Sequence, residues 1–293
     1  HGGDIRVQAG RDVVGPASRQ LYSEWLWRTG VRAGESRARS TAWTVAFDYF
    51  EQGIATLGGG DLTIDAGRSI RDLGASVASI GRQVGGLAVA DNRVEVTGGG
   101  RLAVTAGEDI TGGTYYVGLG SATLAAGRTI GVRDASSPTS FAPVLAAGDA
   151  SLAASARRDL EIETILNPTL VTQSTKLGGT FARSFFSTYS DAARAQLSAI
   201  GGALRLGTNT DAVGAVGNFA SYFRDTLYTS DLGPRIAPPT VEAYAASGDL
   251  RIGGSVTLWP APRGNLTLVA DGNLVFDPVA GGNSFQVLVS DAD

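Results

Sequence analysis

One short phrase returns along this chain, and no other feature constrains the fold as strongly. Residues 2–13 read GGDIRVQAGRDV, 59–70 read GGDLTIDAGRSI, 99–110 read GGRLAVTAGEDI and 119–130 read LGSATLAAGRTI. Weaker copies stand at 148–160, 202–207, 248–258 and 264–276. The equivalent glycines Gly67, Gly107 and Gly127 are 40 and 20 residues apart, so the unit is about 20 residues, with a degenerate copy expected at 84–97 (VGGLAVADNRVEV). Self-similarity of this period marks architectures built by stacking one small unit on the next.

Each unit alternates. Leu62, Ile64 and Ala66 are apolar while Asp61, Thr63 and Asp65 are polar, which is the period of a strand and not of a helix. Gly67 is expected to turn the chain through a positive φ, and Ile70 to open the next short strand. Such a unit cannot bury its apolar stripe alone, but stacked at ~4.8 Å per rung it can. The small residues Ala9, Ala66, Ala106 and Ala126 suit the corners of a narrow interior. The expected fold is therefore all-β, a right-handed parallel β-helix (β-solenoid) with extra-helical hairpin and loop extrusions. Rung strands are expected at 4–9, 61–66, 101–106, 121–126, 249–252 and 265–269. Leu62, Ile64, Leu102, Val104, Leu124, Leu250, Ile252, Leu266 and Leu268 should point inward.

Three stretches interrupt the repeat, at about 16–56, 166–200 and 208–245, leaving rungs at about 1–15, 57–165, 201–207 and 246–290. In the first, Trp43, Val45, Phe47 and Tyr49 alternate with polar or small residues, so two strands joined by the loop 31–40 are expected. In the second, Ser190 is placed to cap a short helix with Ala193, Leu197 and Ile200 on one face. All three read as extrusions of one body spanning 1–293.

Composition narrows the function. Glycine is 41 of 293 residues, about 14% against a usual ~7%, but it does not fall every third position and Pro is only 10, which excludes collagen. A hydrophobic fraction of 43% excludes a disordered chain. No apolar run approaches the ~20 residues that span a bilayer. A net charge of −4 argues against nucleic acid as the partner. There is no Cys and no Met, even at position 1, so the chain reads as a piece of a longer one whose end rungs stack on further rungs of its own or of like chains.

Catalytic and metal constellations are not evident. Asp61 and Asp65 lie four residues apart on a strand, roughly 13 Å at ~3.3 Å each, beyond the ~5–9.5 Å of glycosidic acid pairs. Glu161 and Glu163 are closer and expected outward, yet without a partner acid or an arginine column. Asp4, Asp61 and Asp249 lack the short ligand spacing of calcium sites and read as turn-stabilising. A lone His1 excludes a Ser/His/Asp set. No cofactor and no metal is expected. Two features remain as ligand or partner contacts. The aromatics Trp25, Trp27, Trp43, Phe47 and Tyr49 could present a sugar-binding or interface face, or pack on the flank of the stack. The arginines Arg28, Arg32, Arg37 and Arg39 around Glu35 could hold an anionic glycan, or form a solvated loop.

In the order LYSEWLWR, FDYFEQGIATLGGGDLTIDAG, GGTYYVGLGSATLAAG, FFSTYSDAARAQLSAIGGALRL and AASGDLRIGGSVTLWPAPRGNLTL, the chain resembles the filamentous-haemagglutinin-like large exoproteins of two-partner secretion. The resemblance implies a β-helical rod at, or shed from, the bacterial cell surface, acting in attachment, aggregation, biofilm or filament formation, or toxin delivery. It implies three kinds of partner: an outer-membrane transporter engaged through a domain upstream of this segment, host or neighbouring-cell surfaces and glycans, and like rungs. No catalysis is expected. Two other functions stand beside it: a passive spacer projecting a distal adhesin or toxin domain, and a carbohydrate-active β-helix enzyme.

Overall fold

Alternation and stacking together decide the architecture. The computed structural model describes residues 2–16, 20, 22–29, 41–84, 93–132, 140–170, 177, 187–207, 236–278 and 285–289. Within them the regular secondary structure is nearly all β-strand. One sheet takes eight strands in chain order, Ile5–Ala9, Leu62–Ala66, Gly100–Ala106, Thr114–Ala126, Val144–Ala156, Arg194–Ala199, Thr240–Ala245 and Asn265–Ala270. A second runs Val13–Val14, Ile70–Arg71, Ile110–Thr111, Ile130–Gly131, Leu160–Ile162, Leu204–Gly207, Leu250–Gly253 and Leu274–Asp277. A third stack begins with Ile54–Thr56 and Ala75–Val77, continues through the first residues of the two long strands to Thr164–Leu166, and ends with Ile236–Ala237, Val256–Leu258 and Val287–Leu288. Every pairing in these stacks is parallel, and each rung visits the three in the same order.

The register is strict. Leu62 faces Leu102, Leu102 faces Ala122, and Ala122 faces Leu152. At the end of each first-stack strand stands an alanine, and Ala9, Ala66, Ala106, Ala126, Ala156, Ala199, Ala245 and Ala270 lie in one column. Leu62 and Ile64 are wholly buried while Thr63 and Asp65 between them are half-exposed. The inward residues of all three stacks form one continuous core, each large aliphatic contributing about 1.5–3 kcal/mol. Leu102, Val104, Leu124, Leu250 and Ile252 are buried as expected; Leu266 and Leu268, in the last described rung, are half-buried.

The glycine after the alanine has another purpose than the one expected. Gly67, Gly107 and Gly127 are not among the residues with positive φ. A Cβ on Gly107 would sit 2.3 Å from the Gly67 carbonyl oxygen, and one on Gly127 2.0 Å from that of Gly107. Close approach between rungs, not a left-handed turn, excludes a side chain. Positive φ belongs to the column Gly60, Gly100 and Gly120, at the entrance of the strand.

Aspartates staple one rung to the next. Asp4 Oδ1 accepts the Asp61 N–H at 2.8 Å, Asp61 that of Arg101 at 2.9 Å, Asp159 that of Ala203 at 2.9 Å and Asp249 that of Asn273 at 2.7 Å. Asp109 accepts both the Thr129 N–H and the Arg128 Nε–H. The turn role read from the sequence thus extends across rungs.

Several expectations are corrected. Residues 84–97 are not a rung: Val94–Gly98 pairs antiparallel with Ser79–Gln83, and the 40-residue step from Gly67 to Gly107 is one rung carrying an insertion. No helix follows Ser190. Its Oγ accepts the Ala192 N–H in a turn, and Arg194–Ala199 is a rung strand burying Ala195, Leu197 and Ala199, with Ile200 exposed. Rung-to-rung pairing there outweighs the helix propensity of an alanine-rich segment. The proposed extrusions are correspondingly shorter, since Ile54–Thr56, Arg194–Ala199 and Thr240–Ala245 all belong to the stacks; 208–235 lies outside the described residues. Glu163 is buried, not outward, and accepts the Ala142 N–H at 3.1 Å. An arginine column does exist: Arg205, 2.6 Å from Glu161, faces Arg251, itself 2.7 Å from Asp277.

Two outcomes test this account. Gly107→Ala should destabilise the chain by about 1–3 kcal/mol through overpacking, whereas Gly10→Ala, with nothing within 4 Å of its Cβ, should be neutral or slightly stabilising by roughly 0.4–1 kcal/mol; urea unfolding reads both. The hydrogen bond from Arg128 holds the Asp109 carboxyl below the usual carboxylate range. Its contribution is then present above the unfolded pKa of ~3.9 and lost as pH falls through the lower folded value. Asp109→Asn should lower the urea midpoint at pH 7 and flatten its decline below about pH 4.

Candidate functional site

The first insertion was the candidate, and its residues divide sharply. Leu26–Thr29 pairs antiparallel with Ala42–Val45, as the hairpin reading expected, and the pair extends through Ser79–Gln83 to Val94–Gly98 as a four-stranded antiparallel sheet. This strand stops at Val45. Phe47–Tyr49 is a single 3-10 turn, so Phe47 and Tyr49 do not continue the Trp43–Val45 alternation and stand 64% and 45% exposed.

Trp25 and Trp43 are buried. With Tyr22, Leu26 and Val45 they form a second core against Ala78, Tyr116, Val144, Ala146 and Leu166 of the third stack. Trp25 meets Phe50 edge-on at 5.0 Å and Tyr116 at 5.9 Å, and its indole N–H donates to Gln52 Oε1 at 3.0 Å. Trp25 therefore seals the flank and presents no face to a ligand. Trp27 is half-buried.

Arg28 is likewise interior, at 2% exposure. Its Nη1 donates to the Pro168 carbonyl at 3.3 Å, tying the insertion to the turn after the fifth rung. Burial pushes the guanidinium down to about 9, still above neutrality, so it stays cationic. Arg28 is thus a buried strut between the insertion and that turn. Arg32, Arg37 and Arg39 lie outside the described residues.

What the sheet does build is a cleft. Trp43, Gly81 and Val96 face one another across three strands, with Gln83 and Val94 paired in the next row, so one face carries Trp43, Val96, Gln83 and Val94. A Cβ on Gly81 would lie 2.2 Å from the indole; the absence of a side chain lets the Trp43 ring lie across the strand. Opposite stand Ser187, Thr188, Tyr189 and Ser190, with Gly118 and Asp149, enclosing about 470 Å3. Ser190 Oγ donates to Asp149 Oδ1 at 2.5 Å, and Thr188 Oγ1 pairs with Asn167 at 3.1 Å, which fixes that wall. Arg82 and Glu95 pair at 3.2 Å on the far face of the sheet.

A second, more open depression of about 630 Å3 lies on the outer face of the first stack. Ser121, Thr123 and Ser151 floor it, and the longer Arg194, Gln196 and Glu242 of the next two rungs wall it. Gln196 donates to Glu242 at 3.3 Å and Arg194 Nε to Ser151 at 3.3 Å, so these groups already engage one another. Among the described residues no group of three or more His, Cys, Asp or Glu side chains could hold a metal, and no helix is long and apolar enough to cross a membrane.

Among the described residues, Trp43 is the one ligand candidate read from the sequence that lines the cleft. Asp149, Tyr189, Val94 and Val96 were missed, and the signal for the valines was the failing repeat at 84–97: a strand that does not stack leaves its alternate valines outside. No protein-family model, curated protein or solved structure matches the chain. Trp25→Ala should cost about 3–5 kcal/mol as a large buried aromatic, while Phe47→Ala should stay within roughly 0.5 kcal/mol; thermal unfolding of the two variants distinguishes the sealed flank from an exposed aromatic face.

Proposed function

We propose that this chain is a structural and adhesive segment of a secreted bacterial surface exoprotein, resembling the filamentous-haemagglutinin-like kind, and that its three stacks wind as a right-handed parallel β-solenoid. Parallel strands joined by crossover connections take the right-handed path in nearly all proteins, which supports the hand. The observation that carries the reading is the alanine column from Ala9 to Ala270, unbroken through eight rungs and roughly 34 Å long at ~4.8 Å per step. A repetitive stack that folds its first insertion against one flank suits display and attachment. On this reading the chain is exported by an outer-membrane two-partner transporter, acts outside the cell or on its surface, and meets cell surfaces, glycans and like rungs. It needs no cofactor and performs no catalysis.

Beads coated with the purified chain should retain epithelial or bacterial cells above beads coated with an unrelated β-rich protein. Phe47→Ala with Tyr49→Ala should lower retention without changing the circular dichroism. No retention on any surface would leave only the spacer role, and sugar turnover by the chain would replace the reading with an enzyme.

A further inference from the structure

The cleft beside Trp43 has two unlike walls, and their contrast defines an occupant. One wall is apolar: Val94 and Val96 are more than a third exposed on a strand that has no buried residue, and Trp43 continues them. The other wall is a row of hydroxyls, Ser187 and Thr188 among them, around the Asp149 carboxylate. An ionised carboxylate offers about four acceptor sites, and Ser190 uses one. No arginine or lysine lines the cleft among the described residues.

We propose that this cleft binds a neutral saccharide, a proposal that rests on the adhesive reading and names its ligand class. A pyranose ring is apolar on its C–H face and hydroxylated at its rim. Its C–H face lies on Val94, Val96 and the Trp43 edge, while adjacent ring hydroxyls donate to Asp149 in charge-assisted bonds and exchange hydrogen bonds with Ser187 and Thr188. A volume of about 470 Å3 falls within the range of small-ligand sites and admits a short oligosaccharide. The Asp149 carboxylate disfavours an anionic occupant: a sulfated or uronate glycan would bring its anions against Asp149, with no cation among the described lining residues to meet them, and burying unpaired like charges is costly.

Isothermal titration of the 293-residue chain with lactose, cellotriose and chitotriose, and with heparin hexasaccharide as the anionic comparison, tests the proposal. At least one neutral oligosaccharide should bind, and heparin should not displace it. Val96→Arg, at an exposed strand position, should weaken binding about tenfold or more, and Asp149→Asn should weaken it as well. Glu95→Gln, on the opposite face of the same strand, should leave it within about twofold. No binding by any of the three neutral sugars, displacement by heparin, or indifference to Val96→Arg would overturn the proposal. Cell retention by coated beads is read separately: retention without cleft binding removes this site alone, and cleft binding without retention removes the adhesive reading.

Discussion

Main-chain register between successive rungs is the constraint on which the rest of the molecule depends. At the corner after the first stack, Gly67 N–H donates to the Ala9 carbonyl at 2.9 Å, Gly107 to Ala66 at 3.0 Å and Gly127 to Ala106 at 2.9 Å. The same bond recurs from Ile200 to Ala156 at 3.0 Å and from Ala246 to Ala199 at 2.9 Å. A slip of one residue would turn every side chain to the other face, bringing Asp65 and Thr105 inward and expelling Ile64 and Val104. An unpaired carboxylate in such a core costs more than any surface contact could return. The alternation therefore specifies the register, and the register places everything else.

Small residues are the steric expression of that constraint. Where the chain bends, backbones of neighbouring rungs come so close that a Cβ at Gly67, Gly107 or Gly127 would overlap a carbonyl oxygen, and glycine is what remains, next to the inward alanine. Polar groups then follow. The aspartate just before a strand reaches a backbone N–H of the next rung across the gap, a bond worth more than an exposed ion pair because it satisfies a donor at a corner that strands leave unpaired. Ion pairs such as Arg205 with Glu161 add little by themselves. They record which residues the register brings together, including the like-charged neighbours Arg205 and Arg251.

The parts of the fold that were legible in the sequence are those where the repeat carries all the information. Leu62, Ile64, Leu102 and Val104 alternate within copies of one phrase, so their burial follows from period alone. Legibility failed where tertiary pairing chose between two local options. Arg194–Ala199 has the composition of a helix, and only the unpaired edge of Val144–Ala156 makes it a strand. Val94–Gly98 has the alternation of a rung, yet the pairing of Leu62–Ala66 with Gly100–Ala106 leaves no vacancy for it, and it joins the antiparallel sheet instead. The candidate site was harder still. Trp25 and Arg28 carry the residue types of a binding face, but composition does not say which side of a hairpin meets the flank, and Tyr116, Val144 and Leu166 decide that question from the far end of the sequence.

The same reasoning explains where a rod of this kind can carry specific chemistry. On the stacks themselves, each outward residue has a neighbour at the same position one rung away, so a side chain placed there meets its equivalents before it meets a ligand; Gln196 with Glu242 and Arg194 with Ser151 show the result. Insertions are free of that repetition. The sheet formed by Leu26–Thr29, Ala42–Val45, Ser79–Gln83 and Val94–Gly98 runs antiparallel; one face of it buries Leu26, Arg28, Trp43 and Val45 on the first two strands and leaves Val94 and Val96 exposed on the last, beside the Asp149 wall. A fold that fixes its rungs by repetition thus leaves individuality to the segments that leave the repeat, and the anchoring aromatics are what make those segments rigid enough to hold a site.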